Sequence, residues 1–340
     1  MIKYTCMRVF FAMMCCSGVL LGRSFAQDAN GGYDYPNYEA QMKMEGGMSD
    51  FSDGGNSNYN PSINDFGGDA DSDSPGIWPS MSYLEMLGPM KYEKGDGHAK
   101  VTNWTTLFDF VHMSKGRWSF NADGAFRMSW IDGSRDATLD VDRLFTIWTN
   151  LNMSYRLFGQ TRLVAALTPQ WSSDFDSWVS DNFFLGGNVM LTGKLGEKGT
   201  YVAGFAYAPQ LGDNPWIPYI GGKWKLNDRW TLDLMAPRFS LKNKVSDGFT
   251  WGPFISVMSG TWTVKRNRHH ERFEWRSCLV GVSTETGLGQ WGKVRPKLLA
   301  DVGMSCWNRA RFKSSDGDTD YDSYRFKPGF YVRVGLQFGF

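Results

Sequence analysis

Acid–base chemistry in this 340-residue chain would have to come from very few side chains, because it holds only four histidines. His98 sits in a Gly-rich stretch, and His112 shares a period-two face with Trp104, Phe108 and Phe110. His269 and His270 stand within Lys265-Arg-Asn-Arg-His-His-Glu-Arg272. A hydrolase needs a nucleophile or general base held by a neighbour within hydrogen-bond reach. Glu271 beside His270 comes nearest to that arrangement, and it lies amid arginines. No catalytic residue is assigned, and no enzymatic activity is expected. Lys265, Arg266, Arg268, His269, His270 and Arg272 form a strongly basic segment, expected as a loop. Its guanidinium groups suit bidentate pairing with phosphate, and the alternative is a solvated loop. Asp316, Asp318, Asp320 and Asp322 alternate near the end of the chain. A helix–loop–helix calcium loop wants Gly sixth and Glu twelfth, where this chain has Tyr321 and Lys327. The segment reads as a plain acidic loop, so no metal site and no cofactor are expected. No zinc spacing, nucleotide loop or nucleic-acid patch is present.

The elements that must position these residues are strands. Residues 117–131 alternate Trp118, Phe120, Ala122, Phe126, Met128 and Trp130 against Arg117, Ser119, Asn121, Asp123 and Arg127. Residues 140–157 and 229–236 alternate in the same way, and weaker strands cover the rest from residue 77 onward. Tight turns at Lys115-Gly116, Phe158-Gly159, 195–199, Asn227-Asp228 and 246–248 supply the positive-φ residues that hairpins demand. Longer polar connections fall between them. Tryptophans collect near strand ends (Trp104, Trp118, Trp130, Trp171, Trp216, Trp230, Trp251 and Trp275), the pattern of interfacial girdles. High aromatic content (16%, with 15 Trp) beside a mean hydropathy of −0.38 fits a barrel, whose apolar residues alternate with polar ones.

The last seventeen residues, 324–340, carry the strongest alternation. Phe326, Pro328, Phe330, Val332, Val334, Leu336, Phe338 and Phe340 form one face, with no expected phase slip. A transmembrane strand needs about 9–11 residues with an apolar face towards lipid. Ending in Phe340, the segment resembles the closing strand of bacterial outer-membrane barrels. That resemblance implies an assembly signal on Phe330, Val332, Val334, Leu336, Phe338 and Phe340, read by the barrel-assembly machinery. The stretch Trp230-Thr-Leu-Asp-Leu-Met-Ala-Pro237 resembles a signature of an uncharacterised family of such barrels, over roughly residues 80–340. The expected fold is all-β: a single transmembrane antiparallel β-barrel of 14 strands, or 12 if the short Pro237 junction is not a hairpin.

Inside such a barrel the charged faces would meet. Arg276, Lys297, Arg309, Arg311, Arg325 and Arg333 are expected to line the lumen and set its selectivity, because lumen charge tunes water-filled barrels. Two functions stay open. One is a passive channel for small hydrophilic, preferably anionic, solutes. The other is a non-conducting structural or surface-interaction barrel whose external loops contact lipopolysaccharide or a host or matrix surface. Expected partners are outer-membrane lipid and lipopolysaccharide, with no nucleic acid; the oligomeric state is left open.

Ahead of the barrel, Val9 to Leu21 is an apolar run preceded by Lys3 and Arg8 and followed by Ser24-Phe25-Ala26. This reads as a secretory signal peptide over 1–26, too short to span a bilayer as a helix. Residues 27–76 are Gly, Asn, Asp and Ser-rich and acidic, with Lys43 the single base. They are expected to be a disordered leader, with the barrel occupying 77–340. Export places the protein in the outer membrane of a Gram-negative bacterium. Cys278 and Cys306 survive cleavage, and their pairing stays open.

Overall fold

The structure is a computed structural model that describes residues 78–339, except 95, 134–138, 140, 177–179, 197, 209–215, 236, 267–268, 292–293 and 315–319. The expected signal peptide and leader, Arg268, Asp316, Asp318 and Phe340 therefore lie outside the described residues. Fifteen strands are present among those described: β1 (Trp78–Lys91), β2 (His98–Lys115), β3 (Trp118–Gly133), β4 (Arg143–Phe158) and β5 (Thr161–Ser173). They continue with β6 (Phe183–Leu195), β7 (Gly199–Tyr207), β8 (Trp216–Lys225), β9 (Trp230–Met235) and β10 (Arg238–Ser246). The last are β11 (Phe249–Arg266), β12 (His269–Gly287), β13 (Arg295–Ser314), β14 (Asp320–Phe326) and β15 (Gly329–Gly339).

Each strand pairs antiparallel with its sequence neighbour from β1 to β13. β15 then pairs β13 on one edge and β1 on the other, which closes the ring. β14 and β15 share β13 end to end: Asn308–Lys313 holds β14 and Arg295–Ser305 holds β15. They are two pieces of one stave, so the barrel has 14 staves. Met235 of β9 pairs with Arg238 of β10, so the two are separate antiparallel staves, which decides for 14 over 12. Tight turns occupy one rim, with Gly116 (φ 62), Gly159 (φ 54) and Gly196 (φ 68) in the left-handed region that only Gly enters without cost. Most of the longer connections occupy the other, the loop rim.

Alternation sorts the faces. Leu84, Trp104, Trp118, Ile147, Met153, Val189, Phe205, Ile220, Val302, Phe330 and Val334 are exposed on the outer wall. Tyr83, Glu85, Asn103, Arg127, Ser129, Asn150, Asn152 and Asp301 are buried towards the lumen. An apolar exterior around a polar interior is the pattern of a transmembrane barrel.

Several interruptions flip this alternation, three of them within segments expected to alternate without a break. Phe110 and Cys306 are each the extra residue of a β-bulge, between Asp109 and Val111 and between Ser305 and Trp307. The final stave, expected without a phase slip, breaks at Lys327–Pro328, where proline has no N–H for the ladder. Phe326 is 2% exposed and Phe330 55% exposed, so these two residues face opposite ways. His112 moves likewise: beyond the Phe110 bulge it pairs with Asn121, away from the face of Trp104. Trp275, expected in a girdle, is buried instead.

Val334 is 48% exposed on the outer wall. Val334→Arg should destabilise the barrel in lipid by about 2–4 kcal/mol, read as a lower urea midpoint in vesicles. Val334→Leu should leave that midpoint unchanged.

Candidate functional site: a pinched lumen

Between β5 and β11 the ring runs through β6–β10, six strand spacings or roughly 29 Å of wall. Yet Thr263 of β11 forms a parallel bridge with Ser173 of β5. Thr263 Oγ1 donates to the Asp181 carbonyl at 2.9 Å, and the Lys265 N–H donates to Asp174 Oδ2 at 2.6 Å. The cause is strand length. β10 pairs β11 only as far as Ser256, while β11 runs on to Arg266. β6 likewise stops its pairing with β5 at Trp171. Each leaves a strand edge that must find a partner, and the two edges find one another. Towards the loop rim the wall thus passes from β5 directly to β11, and the lumen is pinched.

Side chains fill the pinched end. Asn103 Nδ2 lies 3.4 Å from Met258 Sδ, and Arg127 Nη1 donates to the Ser259 carbonyl at 3.5 Å. These pairs join β2 and β3 to β11 across the lumen. Leu87, Val101, Ile131 and Leu144 of one wall share a single apolar core with Phe254, Met258, Trp262, Phe273, Trp275, Phe312 and Phe326. Trp262 stacks on Phe273 at 6.0 Å, Phe273 meets Phe312 at 5.0 Å, and Trp275 meets Phe326 at 5.2 Å. Each buried large side chain contributes about 1.5–3 kcal/mol. At Gly260 any Cβ would collide with the Trp262 indole, so this packing requires glycine there.

The other face of β12 and β13 is charged and also buried. Glu274 accepts from Arg276 Nη2 at 3.0 Å and from Arg311 Nε, with Lys313 Nζ 3.6 Å away. The Arg272 guanidinium lies 5.5 Å from the ring of Phe184 on β6. Nearer the turn rim a second ionic group crosses the lumen. Asp301 accepts from Arg238 Nη1 and Nη2 at 2.9 and 3.2 Å and pairs with Arg333 at 2.7 Å. Arg238 lies 3.8 Å over the Phe254 ring, and Tyr331 donates to Glu85 at 3.1 Å. Lys242 pairs with Glu285 at 2.7 Å. The β3–β5 wall is mostly polar, with Arg127, Arg162 and Asp123 its buried charges; Asn150 donates to Asp123 at 2.8 Å and accepts from Thr168 at 3.0 Å.

The six cations expected to share the lumen therefore separate. Arg333 and Lys297 lie on the face of Asp301, in register with Asp301 and with Gln337. Arg276 and Arg311 meet at Glu274 on the face opposite Trp275. Arg309 and Arg325 pair with each other in register, and Arg309 Nε donates to Ser323 at 3.1 Å. The bulge at Cys306 and the break at Pro328 put them there, which corrects the expectation of one common face. The basic segment is corrected too. β11 carries Lys265 and Arg266, and β12 carries His269, His270 and Arg272, as strand residues. Arg266 pairs with Asp322 at 2.8 Å and Glu271 at 3.4 Å, and covers the Phe312 ring at 4.4 Å. Lys265 and His269 are exposed and His270 is half-buried. Of the expected assembly signal, Phe330, Val334 and Leu336 are exposed on the outer wall, with Val332 and Phe338 half-buried. Arg238, Glu85 and Thr263 escaped sequence reasoning. Arg238 sits directly after a proline at a strand start, where period-two logic had too few residues to fix its face.

Residues 109–339 match a family described as Domain of unknown function (DUF6268). The chain belongs to that family. No curated protein matches it. Among solved structures it is similar to a mutant of the TodX monoaromatic hydrocarbon channel, at 9% identity and a TM-score of 0.34, covering 78% of this chain and 90% of that one. It is similar to OccK5 (OpdH) of Pseudomonas aeruginosa at 11% identity and a TM-score of 0.30, covering 77% and 98%. It is similar to the translocator domain of the autotransporter NalP from Neisseria meningitidis at 11% identity and a TM-score of 0.27, covering 79% and 90%. Likeness at this level transfers no function to the family member described here.

Removing one partner of a buried ion pair leaves its charge uncompensated, at a cost of about 3–5 kcal/mol. Asp301→Asn, which strands Arg238 and Arg333, should lower the unfolding free energy by that amount, read as a lower urea midpoint. The double change Asp301→Asn with Arg333→Met should recover part of the loss in the same urea titration.

Proposed function

We propose that this protein is an outer-membrane barrel that keeps its lumen closed at rest and serves as a structural or surface-facing barrel. The β5–β11 bridge carries this reading, because it narrows the cross-section that passive diffusion needs. Aromatic packing behind the bridge and the Asp301 ionic group add two further obstructions along the same axis. The outer-membrane setting is supported by the apolar outer wall, the exposed tryptophans, the signal-like N-terminus and the terminal-phenylalanine strand. On this reading the loop rim faces outward, where lipopolysaccharide or a host or matrix surface is the partner met by the external connections.

A second reading is a passive channel for small hydrophilic, preferably anionic, solutes. One observation favours it: both amide atoms of Asn152 are buried without a protein partner among the described residues. A buried amide needs a partner, and water in the lumen beside β4 would supply it. Passage would then require the β11–β12 hairpin to withdraw from β5.

Planar-bilayer recording of the refolded protein separates the two. The closed reading expects silence from the wild type and conductance steps from Trp262→Ala/Phe273→Ala, which thins the packed end. Steady anion-preferring steps from the wild type would overturn it in favour of the channel.

A further inference from the structure

We propose that Cys278 and Cys306 form an intramolecular disulfide that fixes the β12–β13 bulge; this rests on the export reading above. In sequence the two cysteines stand on opposite faces of their strands. The bulge removes that conflict. Cys278 pairs with Trp307 and Leu279 with Ser305, so Cys306 is the extra residue, set beside Cys278. The sulfurs lie 4.0 Å apart, and the Cys306 thiol is 3.5 Å from the Cys278 carbonyl. Adjacent strands joined at such a point bring side chains within reach of a bond after a rotamer change. Both cysteines are on the exported side of the signal peptide, and exported chains meet oxidising conditions.

The chemistry balances with a periplasmic thiol oxidase bearing a reactive disulfide. One cysteine thiolate attacks that disulfide and forms a mixed disulfide, releasing one oxidase thiolate. The second cysteine thiolate attacks the mixed bond, forming Cys278–Cys306 and releasing the other. Two electrons pass to the oxidase, which leaves as a dithiol, and the protons of the two cysteines go to it and to solvent. Transfer happens on the chain in transit, before the strands are shielded by the membrane.

The position gives the bond a purpose. Loss of the bulge, with a one-residue slip of the ladder beyond it, would flip Arg311 and Lys313 away from Glu274 and pull Phe312 from the core, because such a slip exchanges the two faces. A covalent tie at the bulge forbids that slip.

The test is made on protein extracted from whole cells, with thiols blocked by iodoacetamide at lysis and proteolysis done without reductant. The expected result is a cross-linked peptide containing Cys278 and Cys306 that separates on reduction. In Cys278→Ser, Cys306 should be recovered alkylated. Recovery of both cysteines alkylated in wild-type protein from the outer-membrane fraction would overturn the disulfide while leaving the barrel's location standing. Recovery of the protein in the cytoplasmic fraction would instead overturn the export reading. A Cys278 or Cys306 peptide linked to another protein would overturn the intramolecular pairing.

Discussion

Hydrogen-bond closure governs this barrel. A strand edge with no partner cannot be left in a low-dielectric setting, where each unsatisfied backbone group costs several kcal/mol. β9 and β10 have six and nine residues, while β11 has 18 and β12 has 19. That mismatch frees the upper half of β11, and its capture by β5 makes the pinch. Everything distinctive about the lumen depends on this one meeting of edges.

The pinch explains why β12 can bury both faces. In an ordinary barrel one face of a strand meets lipid and the other the lumen. Here the hairpin bends across the lumen, so Phe273 and Trp275 reach the wall formed by β1–β4 while Glu274 and Arg276 lie on the opposite side. Burial of both is tolerated because each kind of surface is matched: aromatic rings meet apolar side chains, and one carboxylate gathers three cations. The cost of desolvating those charges is offset only while the set stays complete.

Charge placement follows from where the ladder slips. Arg309, Arg311 and Arg325 stand at odd positions, as do Lys297 and Arg333, and uninterrupted alternation would give them one face. The bulge at Cys306 and the break at Pro328 each insert a half-period, so the loop-rim arginines and the turn-rim cations serve different ionic groups. The lumen then holds local, paired charge rather than one continuous cationic wall.

Sequence alone determined what depends on short-range alternation: an all-β antiparallel barrel with an even number of staves, tight turns mostly on one rim, and an outward apolar face on Val332, Val334 and Leu336. These follow from side chains alternating at period two and from glycine's tolerance of positive φ. The pairing of β5 with β11 was invisible, since nothing local marks which distant edge an overlong strand will meet. Trp275 looked like a girdle residue for the same reason: alternation tells that a tryptophan shares a face with other apolar groups, not whether that face meets lipid or a folded-in wall. The bulges at Phe110 and Cys306 were equally hidden, because a one-residue insertion is decided by how two whole strands register. Tertiary structure decided these points, since register and edge capture are properties of strand pairs and leave no signature in either strand alone.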